Sequence, residues 1–564
     1  MNLNSQYTYD PPQPDNPTDS ERYVLSQYAL AQKGWPEDQG AILELMSPPL
    51  PITRYARPGE CKGLKVGVIG GGLAGLAAAY ELRKLGFDIT VYDALEDRVG
   101  GRIYTYYFNK SRDLYHEFGA MRIPVTHETV WHYLNLFNLP TRPFIQYNPN
   151  SFIYIKNTRV RNDRDGLNVM RYIYPHYDLS NWEKTVNWQR LFDLGLDSHI
   201  RSAASEERLE IIQTKPYYSP KVLQWSDNTN IRMMQAAGLS QAAINLVSNF
   251  HPLLVGNLYN SYIDYVQEEY PASTTFEYEI PGGLVKLPMA FYNSLMSTHP
   301  YPEIDSACAG KVSYHRGCWV DGIHLDGGKV RLQYRSVKST QHTTEAFDFI
   351  VCAIPFSTLR GLDIDPLFSN IKMRAIREVN YTPAQKTMIL CRERFWEKEG
   401  IVGGGSFTDL PLSSIWYPSD HAEYLNSERI QSGILPTNDP GVMLASYNFN
   451  LETTRLSNQP AESLVEQVKQ QLTAVHGLPP RYLDNAIQGF KLVNWNQEPA
   501  FRGALSFFSP EQKRIFSYGM TLPEYDGRVF FAGEHISPVH RWIQGSLQTG
   551  MQAANDLAAA CLKK

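Results

Sequence analysis

The stretch Val66–Ala94, VGVIGGGLAGLAAAYELRKLGFDITVYDA, decides the fold. Val66, Val68 and Ile69 form a short apolar, β-rich run that meets three glycines, Gly70, Gly71 and Gly72. Leu73, Leu76, Ala77 and Tyr80 then recur at helical spacing. Gly86 ends that helix, because a residue without Cβ enters left-handed geometry cheaply. Ile89, Val91 and Asp93 close a strand–turn–helix–strand unit. The glycines fall as Gly70-x-Gly72-x-x-Gly75: the first allows a tight turn, the second admits a pyrophosphate, and the third brings helix against strand. Unpaired N–H groups at the helix start face the phosphates, aided by the helix dipole. Asp93, 18 residues after Gly75, stands where a carboxylate accepts ribose hydroxyls. The glycine spacing alone is weak evidence; preceded by a strand, opening a helix and followed by this acid, it is strong. The stretch predicts a bound dinucleotide.

The surrounding chain has 564 residues, too many for one simple core and suited to two or three domains. Hydrophobic residues make up 43% and charged residues 20%, an ordinary globular composition. A net charge of −5 points to neither nucleic acid nor an anionic membrane surface. The six cysteines, Cys61, Cys308, Cys318, Cys352, Cys391 and Cys561, form no CxxC or zinc spacing and read as buried free thiols. No apolar signal region opens the sequence, and no run of about 20 apolar residues could span a bilayer. A soluble, cytoplasmic protein is the expectation. His127 and His132 are five residues apart and splay on a helix, so no metal is expected.

Working outward, Gly100, Gly101 and Arg102 offer a second close backbone approach carrying positive charge. In YHEFGAMRIP, Arg122 sits among apolar neighbours, where burial is expensive unless an anion meets it. A substrate carboxylate or an internal Asp/Glu would serve equally. Helical patterns dominate from about residue 126 to 251, and β character returns from 274 to 337 with a hairpin at Asp326-Gly327-Gly328. Phe347–Pro355 reads as a strand buried on both faces of a parallel sheet. Val529–Phe531 reads as the last parallel strand, followed by Gly533, Glu534 and a helix from about Gly545. Two nucleotide-contacting segments at opposite ends imply an interrupted domain. The fold class is α/β: a discontinuous Rossmann-type dinucleotide-binding domain, a mixed-sheet substrate domain and a helical insertion. The predicted division is an arm packed on the body (1–63), nucleotide parts at 64–96, 266–375 and 521–564, substrate parts at 97–160 and 376–520, and helices at 161–265.

GGGLAGLAAAYEL, DRVGGR, EFGAMRIP and FFAGEHIS…HRWIQGSLQTG resemble the flavin amine-oxidase superfamily, above all its L-amino-acid oxidases and related amino-acid 2-monooxygenases. The resemblance runs in ordered blocks from about residue 65 to the end. It implies FAD, with Gly70, Gly72, Gly75 and Asp93 at the ADP half, Arg98, Gly101 and Arg102 near phosphates and flavin, and Val312 contacting adenine by backbone. Gly533 and Glu534 would serve the ribityl or pyrophosphate region. No cysteine lies between Gly533 and Gly550, so FAD is expected to be non-covalent.

On the substrate side the resemblance gives Arg122 as partner of the substrate α-carboxylate, Tyr447 as its second support, and Lys386 as holder of a water near the flavin. Trp495 and Trp542 become aromatic walls. This chain departs from the family at Arg541, where a small residue is common, and at Glu268, where some members carry a histidine. Glu268 and Glu269, with Asp264 one turn earlier, favour a basic side chain; Arg541 at the mouth opposes one, and Phe449 and Leu505 suggest an apolar wall. The expected reaction is oxidative deamination of L-amino acids, broad or basic in preference, to 2-oxo acid, ammonia and hydrogen peroxide using O2. A homodimer is expected. The alternatives are a 2-monooxygenase yielding amide and CO2, a primary-amine or polyamine oxidase that has no need of Arg122, and a flavoprotein without enzyme activity.

Overall fold

The computed structural model describes residues 11–422 and 437–562. At its centre lies a five-stranded parallel sheet in the order Val312–Arg316, Asp88–Asp93, Lys65–Ile69, Phe349–Cys352, Val529–Phe531. The strands come from three distant parts of the chain, as the split glycine signals imply. Phe349–Cys352 is buried throughout, between two parallel neighbours. The helix Leu73–Lys84 covers one face, and the last helix, Ile543–Cys561, packs on it.

The remaining strands form layers around this sheet. Asp326 pairs with Lys329 across Gly327-Gly328, the predicted hairpin, in a four-stranded sheet. A seven-stranded mixed sheet contains Ala384–Cys391, Gly441–Phe449 and Ile487–Asn494. A small sheet joins Ile123–Pro124, Glu277–Glu279 and Arg142–Phe144. Helices fill most of Val169–Glu269. The N-terminal arm carries the helix Asp19–Lys33, begun by a capping box at Thr18 and Glu21. It is fastened to the body by Arg22–Glu128, Lys33–Glu269 and Asp38–Arg208 ion pairs. No disulfide forms among the described residues, and Cys61, Cys352 and Cys391 are buried. Among the described residues no helix is long and apolar enough to cross a membrane.

Candidate active site

One cavity, with an empty volume of about 1360 Å³, opens at the carboxyl ends of the parallel strands and continues to the mixed sheet. Its position is where open α/β sheets bind ligands. Gly70–Ala74, Asp93, Gly101–Arg102, Gly533 and Glu534 line one end; Ala384, Tyr447, Trp495, Leu505, Arg541 and Trp542 line the other. Gly70 takes φ +103°, and a Cβ on Gly75 would lie 2.0 Å from Gly70 O, so the turn and helix touch backbone to backbone. A Cβ on Gly72 would meet nothing within 4 Å: the turn is open toward the cavity.

Asp93 is buried, its Oδ2 accepting from Tyr314 and its Oδ1 from the Leu95 N–H. Burial pushes its carboxyl up, against those hydrogen bonds. Glu534 is held down at about 2: burial alone would raise it, but Arg102, His540 and His535 outweigh that. Its oxygens accept from Arg102 at 2.7 Å, Ser506 at 2.7 Å and the Arg541 N–H at 3.0 Å. The carboxylate therefore ties three segments together, while the residue still borders the cavity.

Two cofactor expectations need correction. Val312 pairs with Ile89 at the amino end of its strand, four positions before Arg316 meets Asp93 at the carboxyl edge. Ligands sit at the carboxyl edge, and there Trp319 and Val320 line the cavity instead. Arg98 stacks on Tyr104 at 4.3 Å and donates to the carbonyls of Gly101 and Ile103. It braces the Gly100–Gly101 turn from behind and is not part of the cavity wall.

At the other end, Arg122 follows the small Ile123–Pro124 strand's entry loop, its side chain 18% exposed. Its guanidinium lies 5.3 Å from the Trp416 ring, 5.9 Å from Trp542 and 6.0 Å from Phe144. Nη1 donates to Gln146 at 2.5 Å and to Glu277 at 3.2 Å. Burial works against its charge, and Glu277 and Glu268 more than offset that. Across the mixed sheet Lys386 pairs with Tyr447, and Nζ lies 4.5 Å from the Tyr447 ring centre. Nζ donates to the Glu117 and Gly119 carbonyls at 2.9 and 2.8 Å, pinning the loop that leads to Arg122. Burial lowers Lys386 to about 7, with Glu117 opposing and Arg122 adding. Trp495 is anchored by its Nε1 on Phe118 O. Phe449 packs against Tyr447 at 4.3 Å, behind the wall rather than in it.

The acidic cluster read as an attraction for basic substrates is already neutralised. Glu268 pairs with Arg541 at 3.0 Å, and Glu269 with Lys33 at 2.5 Å. Asp264 accepts from His540 Nδ1 at 2.6 Å and the Phe508 N–H at 2.8 Å. Arg541 is correspondingly buried, its charge turned inward on Glu268 rather than guarding a mouth. His251, Glu268 and Glu269 bring ligand atoms within 4.8 Å of one another, but both carboxylates already hold cations.

Residues 73–558 match the model of the flavin-containing amine oxidoreductases. The chain belongs to that family. Curated relatives of this flavin amine oxidoreductase include an L-amino-acid oxidase of Sistrurus catenatus edwardsii, 27% identical over 88% of this chain and 87% of that one. Another from Pseudechis australis is 28% identical with the same coverage. Among solved structures, a putrescine oxidase bound to putrescine gives TM-score 0.66 at 15% identity, over 88% of this chain and 99% of that one. A cyclohexylamine oxidase from Brevibacterium oxydans gives 0.63 at 16%, over 89% and 100%. At that identity the structural likeness concerns the fold. The residues present fit the family's flavin: an open glycine turn at a helix start, a buried acid at the second strand's end and a long cavity connecting them to aromatic walls.

Several neighbours of the site had no reading from sequence: Tyr314, Val320, Gln146, Trp416, Lys33 and Glu277. Glu277 alone left a signal, as one of two acids at alternate positions in FEYE, where a strand sends both to one face.

Proposed function

We propose that this chain holds FAD non-covalently and oxidises free L-α-amino acids to imino acids, which hydrolyse to 2-oxo acid and ammonia while O2 becomes hydrogen peroxide. The observation that carries this reading is Arg122, a guanidinium just behind the cavity wall at Trp542, framed by Trp416 and Trp542 and backed by Tyr447. An amine without a carboxylate has no use for it. The L-amino-acid oxidase relatives support the same reading.

The flavin, when bound, supplies the two-electron oxidation of the C–N bond and the reaction with oxygen. The chain's own residues bind and orient. Arg122 can meet a carboxylate with two parallel N–H groups. Nε and Nη2 have no hydrogen-bond partner among the described residues. The Tyr447 hydroxyl likewise has none, and burial keeps it protonated and able to donate. Fixing the carboxylate at two points sets the direction of Cα, and orientation of this kind supplies much of an enzyme's rate. Lys386 steadies the loop before Arg122, and its passage between charged and neutral near pH 7 suits the water-holding role the resemblance implies. With the acidic cluster neutralised, the side-chain preference we propose is broad, over neutral side chains.

The test is anaerobic mixing with L-leucine, D-leucine, isoamylamine and putrescine, followed by aerobic product analysis. The reading requires flavin bleaching by L-leucine alone, with 4-methyl-2-oxopentanoate and peroxide as products. Bleaching by the amines, or release of CO2 and an amide, would overturn it.

A further inference from the structure

Arg122 already has an internal acid. Glu277 Oε2 accepts from its Nη1 at 3.2 Å, while Glu277 Oε1 is buried with no hydrogen-bond partner among the described residues. The Glu277 side chain is fully buried, so water does not stabilise its charge. One long hydrogen bond is a thin hold on a carboxylate in such a place.

The charges facing Glu277 come from four directions. Arg122 lies on the neighbouring loop; Glu268 and Glu269 face it from the helix Tyr262–Glu269. Those two are neutralised by Arg541 and by Lys33 of the N-terminal arm. On its own strand, Glu279 is paired with Arg142 at 2.6 Å. His251, beside Glu268 and Glu269, is kept neutral by burial. Gln13 donates to the Glu277 carbonyl, and Gln146 shares Arg122. Arg122 and Glu277 together are thus neutral, and every other acid in this shell is paired with a cation, Glu269 sharing Lys33 with Asp197. A second carboxylate arriving on Arg122 leaves one negative charge too many in a buried site. Like charges that close do not both stay ionised. Glu277 is the group suited to give way, since burial has raised it to about 7, with Arg122 opposing and Glu268 adding.

We propose that Glu277 is the proton acceptor of the substrate site: when a carboxylate docks on Arg122, one proton settles on Glu277 Oε1. For a zwitterionic amino acid, that proton is the one its ammonium must lose before the C–N bond can be oxidised. One N–H bond of the ammonium breaks, one O–H bond forms on Glu277, and the net charge of the chamber is unchanged. The substrate's carboxylate thereby triggers the deprotonation of its own amine. This inference rests on the reading of Arg122 as the carboxylate site. Glu277 acts through Arg122, as a positioning and proton-holding residue.

The test uses the flavin-loaded enzyme and 3-phenylpropionate, which has a carboxylate but no amine and is not oxidised. Binding is followed by the flavin absorbance change, and proton uptake by calorimetry in two buffers of different ionisation enthalpy. The expected result is uptake near one proton per ligand at pH 8, where free Glu277 is ionised, falling toward zero at pH 5.5, where it is already protonated. Glu277→Gln should bind the ligand at least as tightly and take up none at either pH. Tight binding with no uptake by the wild-type enzyme at pH 8 would overturn the proposal without recourse to any variant. Uptake that persists in Glu277→Gln would overturn it as well and place the proton elsewhere, His251 being the nearest candidate. No binding of 3-phenylpropionate would instead overturn the reading of Arg122, a distinct outcome.

Discussion

Arg541 grips Glu268 with two donors on one oxygen, Nε at 3.2 Å and Nη2 at 3.0 Å from Oε2. It does so from a left-handed backbone, φ +74°, that a side-chain-bearing residue adopts at a cost of about 1–3 kcal/mol. The same residue's N–H holds Glu534, so the pair links the cofactor end of the cavity to the substrate end. Truncating one partner of a buried pair leaves the other charge stranded, at about 3–5 kcal/mol. Arg541→Ala should therefore lower the denaturant midpoint markedly, and Glu268→Gln in the same chain should recover most of the loss. The single variant should also raise kcat/KM for lysine relative to leucine, by exposing Glu268. An unchanged lysine-to-leucine ratio would show that Glu268 does not face the substrate side chain.

Gly75→Ala tests the turn. A methyl group 2.0 Å from Gly70 O forces helix and turn apart, and the open N–H groups lose their common aim. Flavin affinity should fall at least about tenfold, or roughly 1.4 kcal/mol, seen as a lower flavin-to-protein absorbance ratio in an otherwise folded chain. A full complement of flavin would contradict the assigned role.

Lys386 carries a pH signature. Its folded value of about 7 lies below the ordinary lysine value of 10.5, so between those pH values the unfolded chain binds a proton that the folded chain does not. Stability gains a contribution that rises with pH over that window. In Lys386→Met the rise should be missing when unfolding midpoints are compared from pH 7.5 to 9.5. Activity should fall as well, on the order of 10²–10⁴-fold if the amine handles a proton.

The N-terminal arm should matter to the site although it lies outside the cavity. Lys33 is the cation for both Glu269 and Asp197. Lys33→Met strands two buried acids, and a loss of about 3–5 kcal/mol is expected, with the greatest rise in proteolytic susceptibility in the helices facing the arm. An unaltered denaturation curve would show the arm to be dispensable.

The nucleotide end was legible because its requirements are local. Gly70, Gly72, Gly75 and Asp93 stand in one continuous unit whose spacing is fixed by backbone geometry, and Phe347–Pro355 announced itself by a near-continuous apolar run. Arg122 was legible as an expensive charge, but its neighbours were not, since Glu277 and Trp416 arrive from strands more than 150 residues away. Val312 was misplaced because a strand's sequence shows its length more plainly than which end meets the ligand. Arg541 and Glu268 misled in the same way: each was read as a free charge, and only the fold shows that they cancel. Pairing across long loops is a property of the tertiary structure and leaves no periodicity to read.

The most direct measurement is the anaerobic rate of flavin reduction by L-leucine and by isoamylamine in wild-type enzyme and Arg122→Ala. Losing one partner of a buried, hydrogen-bonded charge pair costs about 2–5 kcal/mol, so the variant's kcat/KM for L-leucine should fall on the order of 10²–10³-fold. Isoamylamine, which has no carboxylate to place on Arg122, should reduce the flavin of neither enzyme. Wild-type kcat/KM for L-leucine in Arg122→Ala would contradict the account at its centre.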